Sequence, residues 1–172
     1  MPAPSSSSAA QEVSTSARES FGFLPNLIDE LNEHNPAAAR LYLATSDLLE
    51  DGDLTDRERE GVLLTVSRYN DCHYCTEMHG TRAVSAGLSR ETVEALNSGG
   101  LPSDDRLRVL VQATRLMLDK RGWLDDEDLE SLRSKGVEQT ELFEINALIG
   151  LKTFSNFVNH VAQTEIDAEL QT

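Results

Sequence analysis

The chain has 172 residues, with 15 Lys plus Arg against 30 Asp plus Glu, a net charge of -15, 39% apolar residues and two cysteines. That length supports one ordinary domain with its own core, and the negative excess removes the attraction on which binding to nucleic-acid phosphates or anionic lipid depends. Two cysteines exclude a secreted disulfide framework, so their presence calls for a chemical explanation.

In chain order, residues 1–20 (MPAPSSSSAAQEVSTSARES) are small, polar and Ser/Pro-rich, with neither the basic start nor the apolar core of a signal peptide. Arg18 is their only Arg, beside Glu12 and Glu19, which is too few for an organellar transit peptide. This composition predicts a disordered tail ahead of a domain over 21–172. From Phe21 onward apolar residues recur at helical spacing and no stretch alternates with period two, so the expected fold is an all-α, single-domain helical bundle. The predicted helices are 24–32, 36–50, 56–69, 72–86, 90–98, 104–120, 126–134 and 139–161. Pro36 suits a first helical position, Thr55 with Glu58 forms a capping box, and Gly87, Gly122 and Gly136 stand where C-terminal glycines stop helices. The segments GDLTD and SGGLPSDD read as loops. No apolar run reaches the roughly 20 residues that cross a bilayer, which predicts a soluble, cytoplasmic protein with reduced thiols.

The segment TDREREGVLLTVSRYNDCHYCTEMHGTRAVSAG carries the specific signal. Asn70 and Asp71 suit a turn and N-cap, so Cys72 and Cys75 fall in a helix's first turn. Cys72, Cys75 and His79, spaced three and four apart, share one face of it. An ordinary cysteine is only a few per cent thiolate at neutral pH; the positive end of a helix and a neighbouring imidazole both favour the anion. Cys75 is the better placed for His79. It is therefore the expected attacking sulfur, with Cys72 able to close a disulfide on it. Glu60 lies on the preceding helix on a face shared with Leu63, Leu64 and Ser67. If the turn folds the two helices together, it reaches His79 directly or through a water and sets the imidazole's tautomer and basicity. The bland alternatives are two cysteines that merely pack a core and a solvated Glu60 in a charge-rich first turn.

Other residues offer less. His160 in FVNHVAQ, beside Asn156 and Asn159, is a candidate for a supporting role at the site. His34 reads as a helix-end residue, Trp123 as the anchor of a helix junction, and the stripe in LRVLVQATRLML as core or an oligomer seam. Zinc is the rival in another functional class, but the chain has no second C-x-x-C or H-x-x-x-H to supply a fourth ligand. Thr76 excludes the C-x-x-C-H of haem attachment.

The pattern E-x11-C-x-x-C-x-x-x-H, as Glu60, Cys72, Cys75 and His79, resembles the active-site motif of the alkylhydroperoxidase D-like (AhpD-like) family within the carboxymuconolactone decarboxylase superfamily. The likeness extends through FGFLPNLIDELNEHNPAAARLYL, LTDREREGVLLTVSRYNDCHYCTEMHG and FSNFVNHVAQ, similar to the peroxidase-related branch, and covers Phe21 to Asp167. The resemblance implies a helical homo-oligomer. It also implies a relay in which Glu60 acts through a water on His79 and His79 on Cys75, with Cys75 the peroxidatic thiol and Cys72 the resolving one. In the better-studied members a histidine precedes the second cysteine. Here that residue is Tyr74, a phenol that donates a hydrogen bond but does not exchange protons at neutral pH as imidazole does. His73, about 100 degrees round the helix, is a poor substitute. The expected activity is a thiol-dependent hydroperoxide reductase or dithiol-disulfide oxidoreductase. It needs no bound cofactor and draws on an external dithiol as reductant. A redox sensor without turnover, a zinc-binding structural oligomer and a lactone decarboxylase are the alternatives, the last having no use for a cysteine pair.

Overall fold

The computed structural model describes residues 6–170, which form nine helices: α1 (Ser6–Phe21), α2 (Asn26–His34), α3 (Pro36–Leu48), α4 (Asp56–Tyr69), α5 (His73–Ser85), α6 (Arg90–Asn97), α7 (Asp105–Lys120), α8 (Asp126–Ser134) and α9 (Gln139–Ala162). Short 3-10 turns occupy Leu49–Asp51 and Ala168–Leu170, and no strand occurs among the described residues. The all-α expectation holds, and α2 to α9 lie within a few residues of the predicted ranges.

The start of the chain departs from expectation. Residues 6–20 of the predicted disordered tail belong to α1, in which Val13 and Ala17 are buried against α2 and α3; residues 1–5 lie outside the described residues. Averaged composition hides the cause. Val13, Ala17 and Phe21 recur every four residues and make one apolar stripe, which packing can cover. Asn32 of α2 then fastens α1 by donating through Nδ2 to Ala10 O at 2.8 Å and Ser14 Oγ at 3.0 Å. The domain therefore extends N-terminally to take in α1.

Helix α4 is the central element. Its residues 59 to 67 are all buried, because α5, α6, α7 and α9 pack around it. It opens with the predicted capping box, Glu58 N donating to Thr55 Oγ1 at 3.4 Å and Thr55 N to Glu58 Oε2 at 2.9 Å, a device worth about 1 kcal/mol. Gly61 sets the approach of α7: a Cβ there would lie 2.5 Å from Leu107 Cδ1. From α9, Glu144 accepts the N–H of Asp53 at 2.7 Å and of Leu54 at 3.1 Å, which fixes the start of α4 against α9. The apolar stripe of α7, with Leu110, Ala113 and Met117, is buried within the chain.

The turn between α4 and α5 also differs in detail. Asp71 takes a left-handed φ of 53°, and Cys72 is the N-cap residue ahead of α5, a position that Asn70 or Asp71 was expected to fill. Trp123 does not anchor a junction: it is 85% exposed, while its neighbour Leu124 packs on the core. None of the described helices is long and apolar enough to cross a membrane.

Candidate functional site

The α4–α5 turn folds the two helices antiparallel and brings the widely spaced acid and imidazole together. Glu60 Oε2 lies 2.7 Å from His79 Nδ1, and Glu60 Oε1 accepts from Arg82 Nε at 2.8 Å. Glu60 is 4% exposed and His79 6%, which disposes of the solvated reading of Glu60. The contact is direct, without the intervening water that the resemblance implied. Burial works against the carboxylate, but His79 and Arg82 outweigh it and hold its pKa down at about 2. Burial, with the positive charge of Lys152, keeps the His79 pKa below its ordinary value, so the imidazole is neutral at neutral pH. Arg82 is then the permanent counter-charge of Glu60. With Glu60 accepting from Nδ1–H, the other ring nitrogen, Nε2, is left as the basic one.

Cys72 and Cys75 are both buried, free thiols. Helix α9 joins them: Asn159 Nδ2 donates to Cys75 Sγ at 3.1 Å and reaches Cys72 Sγ at 3.8 Å. The hydrogen bond from Cys72 lowers the Cys75 pKa. Burial opposes that, and the charge of Lys152 carries it lower still, well below the ordinary thiol range. The same hydrogen bond, with burial, pushes Cys72 up, so one sulfur is a thiolate and the other a thiol.

Three residues of α9 belong to the site and were not singled out from the sequence. Lys152, Asn156 and Asn159 stand four and three apart on one face and are all buried. Asn156 Oδ1 accepts from Asn70 Nδ2 at 2.8 Å, tying α9 to the α4–α5 turn. Lys152 Nζ donates to Tyr42 Oη at 3.3 Å and lies 5.7 Å from the centre of that ring. The signal was present as a polar stripe on an otherwise apolar helix. His160 was chosen in its place, and it is a correction: it is exposed on the flank of α9, near the Phe157 ring at 6.2 Å. His73 is exposed too, 4.0 Å from Glu77.

Tyr74 has a structural task. Its hydroxyl donates to Asp167 Oδ2 at 2.5 Å and accepts from Leu27 N at 3.4 Å, while Asp167 Oδ1 accepts from Asn26 N at 2.8 Å. Burial and then Asp167 raise its pKa, so it stays a phenol. It joins the segment after α9 to the start of α2 beside the cysteines.

Cys75, His79, Lys152 and Tyr42 line one partly open cavity with Leu27, Ile28, Met78 and Leu151. Its volume of about 40 Å³ holds about three waters, and Arg82, stacked 5.7 Å from the Phe21 ring centre, lies at its wall. Among the described residues, no group of three or more His, Cys, Asp or Glu side chains is arranged to hold a metal ion. The residues around the sulfurs do not suit zinc either, because the buried Lys152 ammonium repels a cation.

Residues 36–115 match the model of the carboxymuconolactone decarboxylase family. No curated protein sequence matches the chain. Among solved structures it is similar to a peroxidase-related protein with an alkylhydroperoxidase AhpD core from Ralstonia eutropha JMP134 (TM-score 0.83, 22% identity, 99% of this chain and 93% of that one). A peroxidase-related protein from Silicibacter sp. TM1040 gives TM-score 0.80 at 23% identity over 99% and 89% of the two chains. A cysteine-to-alanine variant of the debrominase Bmp8, in complex with 2,3,4-tribromopyrrole, gives 0.73 at 21% over 96% and 90%. The matched segment contains Glu60, Cys72, Cys75 and His79, and the chain shares the fold of these solved structures.

Proposed function

We propose that the protein is a thiol-dependent hydroperoxide reductase working through a Cys72–Cys75 dithiol-disulfide cycle. The observation that carries this reading is the Asn159 amide aimed at both sulfurs, with the buried Glu60–His79 pair beside them. Cys75 as thiolate attacks the terminal peroxide oxygen; the O–O bond breaks, Cys75 becomes a sulfenic acid, and the alkoxide takes up a proton and departs as the alcohol. Cys72 then attacks the Cys75 sulfur, forming the disulfide; His79 Nε2 takes up the Cys72 proton and passes it to the departing hydroxide, which leaves as water. Glu60 holds that imidazole in the required tautomer. An external dithiol reopens the disulfide and completes the cycle, with no bound organic cofactor in the scheme.

The cavity favours a small hydroperoxide group over a halogenated ring of the kind held by the debrominase neighbour, since three bromines on a ring exceed the space of about three waters. Tyr74, committed to Asp167, leaves His79 without a second imidazole partner, which points to modest turnover. Homo-oligomeric assembly and a cytoplasmic location belong to the same proposal. The test is hydroperoxide consumption with a dithiol present: wild type turns over repeatedly, Cys75→Ser does not, and equal rates for the two would overturn the assignment. Oxidation that stops after one turnover despite excess dithiol would identify a sensor.

A further inference from the structure

Lys152 is a buried ammonium with no carboxylate of the described residues at ion-pair distance. It is 2% exposed, its one hydrogen bond goes to the neutral Tyr42 hydroxyl at 3.3 Å, and it faces the cavity that Cys75 lines. Burying a lone cation is strongly unfavourable, so it requires an anion within the same cavity. Glu60 from α4 is engaged by His79 and by Arg82 of α5. Tyr42 of α3 and Tyr74 of α5 are phenols, and His79 is neutral. Glu50 and Arg59 also line the cavity, but Glu50 is exposed to water and Arg59 is paired with Asp56, so the buried group left to balance Lys152 is the Cys75 sulfur.

We infer that Lys152 is the counter-ion of the Cys75 thiolate and the acid that protonates the leaving oxygen when a hydroperoxide is cleaved. This rests on the hydroperoxide reading for its second half only. The balance closes. Cys75 as thiolate takes the terminal OH of the peroxide, the O–O electron pair leaves on the alkoxide, and Lys152 gives it a proton, yielding the alcohol and a neutral amine. Attack by Cys72 then forms the disulfide and water, so the site loses its thiolate and its ammonium together and no lone buried charge remains. Reduction by a dithiol restores the Cys75 thiolate and the Cys72 thiol and releases one proton, which returns to Lys152. Neutral His79 has no proton to donate at the cleavage step, Tyr74 is tied to Asp167, and an arginine does not act as an acid at this pH. Burial disfavours the charge on Lys152, yet Tyr42, Cys75 and Glu60 leave its pKa raised, in keeping with an anion close by.

The experiment compares wild type with Lys152→Met, which keeps the volume and chain shape, and Lys152→Arg, which keeps the charge. The first readout is the pH titration of the Cys75 thiolate by ultraviolet absorbance, with Cys75→Ser as blank and no peroxide present. Lys152→Met should move the midpoint up by about 1 pH unit or more, a tenfold or greater loss of thiolate below the midpoint, and Lys152→Arg should restore most of it. An unchanged midpoint in a folded Lys152→Met protein overturns the proposal. The second readout is single-turnover oxidation at a pH where both proteins are fully thiolate, with an alkyl hydroperoxide and with a peracid, whose carboxylate leaves without needing a proton. The alkyl hydroperoxide should be slowed tenfold or more by Lys152→Met and the peracid little. Equal slowing of both removes the acid role. If wild type consumes neither peroxide, the hydroperoxide reading fails, and the titration alone then decides for or against the counter-ion.

Discussion

The α4–α5 hairpin and the buried face of α9 meet at the same two sulfurs but contribute different things. The hairpin carries the reacting groups Cys72, Cys75, His79 and Glu60 within one short stretch of chain. The buried face of α9 carries no nucleophile or base, yet Lys152 adds its charge to the Cys72 hydrogen bond that favours the Cys75 thiolate, and Asn159 donates to the same sulfur. A motif thus supplies the chemistry, while a distant helix supplies the field in which that chemistry operates.

The largest effect belongs to the hairpin. Replacing Cys75 by Ser should abolish peroxide turnover, and Cys72→Ser should leave one oxidation event but no intramolecular disulfide; mass measurement after one equivalent of peroxide separates the two. Replacing His79 by Gln should cost about 100-fold or more in turnover, the usual range for a lost general base, with thiolate titration of the variant showing how much of that is loss of the nucleophile. On α9, Asn159→Ala should be milder. It removes a hydrogen bond to a charged sulfur worth about 1.5 kcal/mol, which is about tenfold in thiolate, read as an upward shift of the Cys75 titration by about 1 unit. An Asn159→Ala effect as large as that of His79→Gln would erase the distinction between the two regions.

Stability against pH gives a smaller effect from the same buried pair. The folded-state pKa of His79 lies below its unfolded value, so the unfolded chain binds the proton first and stability falls as pH drops below about 6.5. Glu60 is depressed from near 4.5 to about 2, so its contribution is present above about pH 4.5 and is lost as pH falls towards 2. Thermal melting across this range should show His79→Gln flattening the first decline and weakening the second, in which Arg82 remains as the partner of Glu60. The smallest effect is expected for His160→Ala, on the exposed side of α9, which should change neither turnover nor the Cys75 titration.

What was legible in the sequence follows the same division. Cys72, Cys75 and His79 are read directly from helical spacing, and Glu60 from a turn signal at Asn70 and Asp71 that folds one helix onto the next. The hydrogen bond from Tyr74 to Asp167 joins residues 93 apart, and no local spacing connects them. Lys152, Asn156 and Asn159 left a polar stripe in an apolar helix. Without knowing which face of α9 turned inward, the ring nitrogen of His160 drew the choice and the amides beside it did not. Helix α1 was missed because its stripe is only Val13, Ala17 and Phe21 among serines, and such a helix becomes stable only when α2 and α3 cover it.

The most direct test is to add one equivalent of hydroperoxide to the reduced protein and to measure its mass and free thiols. Both thiols should disappear together, the mass should fall by two hydrogens, and a dithiol should restore the starting state, with Cys75→Ser inert. Retention of both thiols with the peroxide unconsumed would contradict a Cys72–Cys75 redox site.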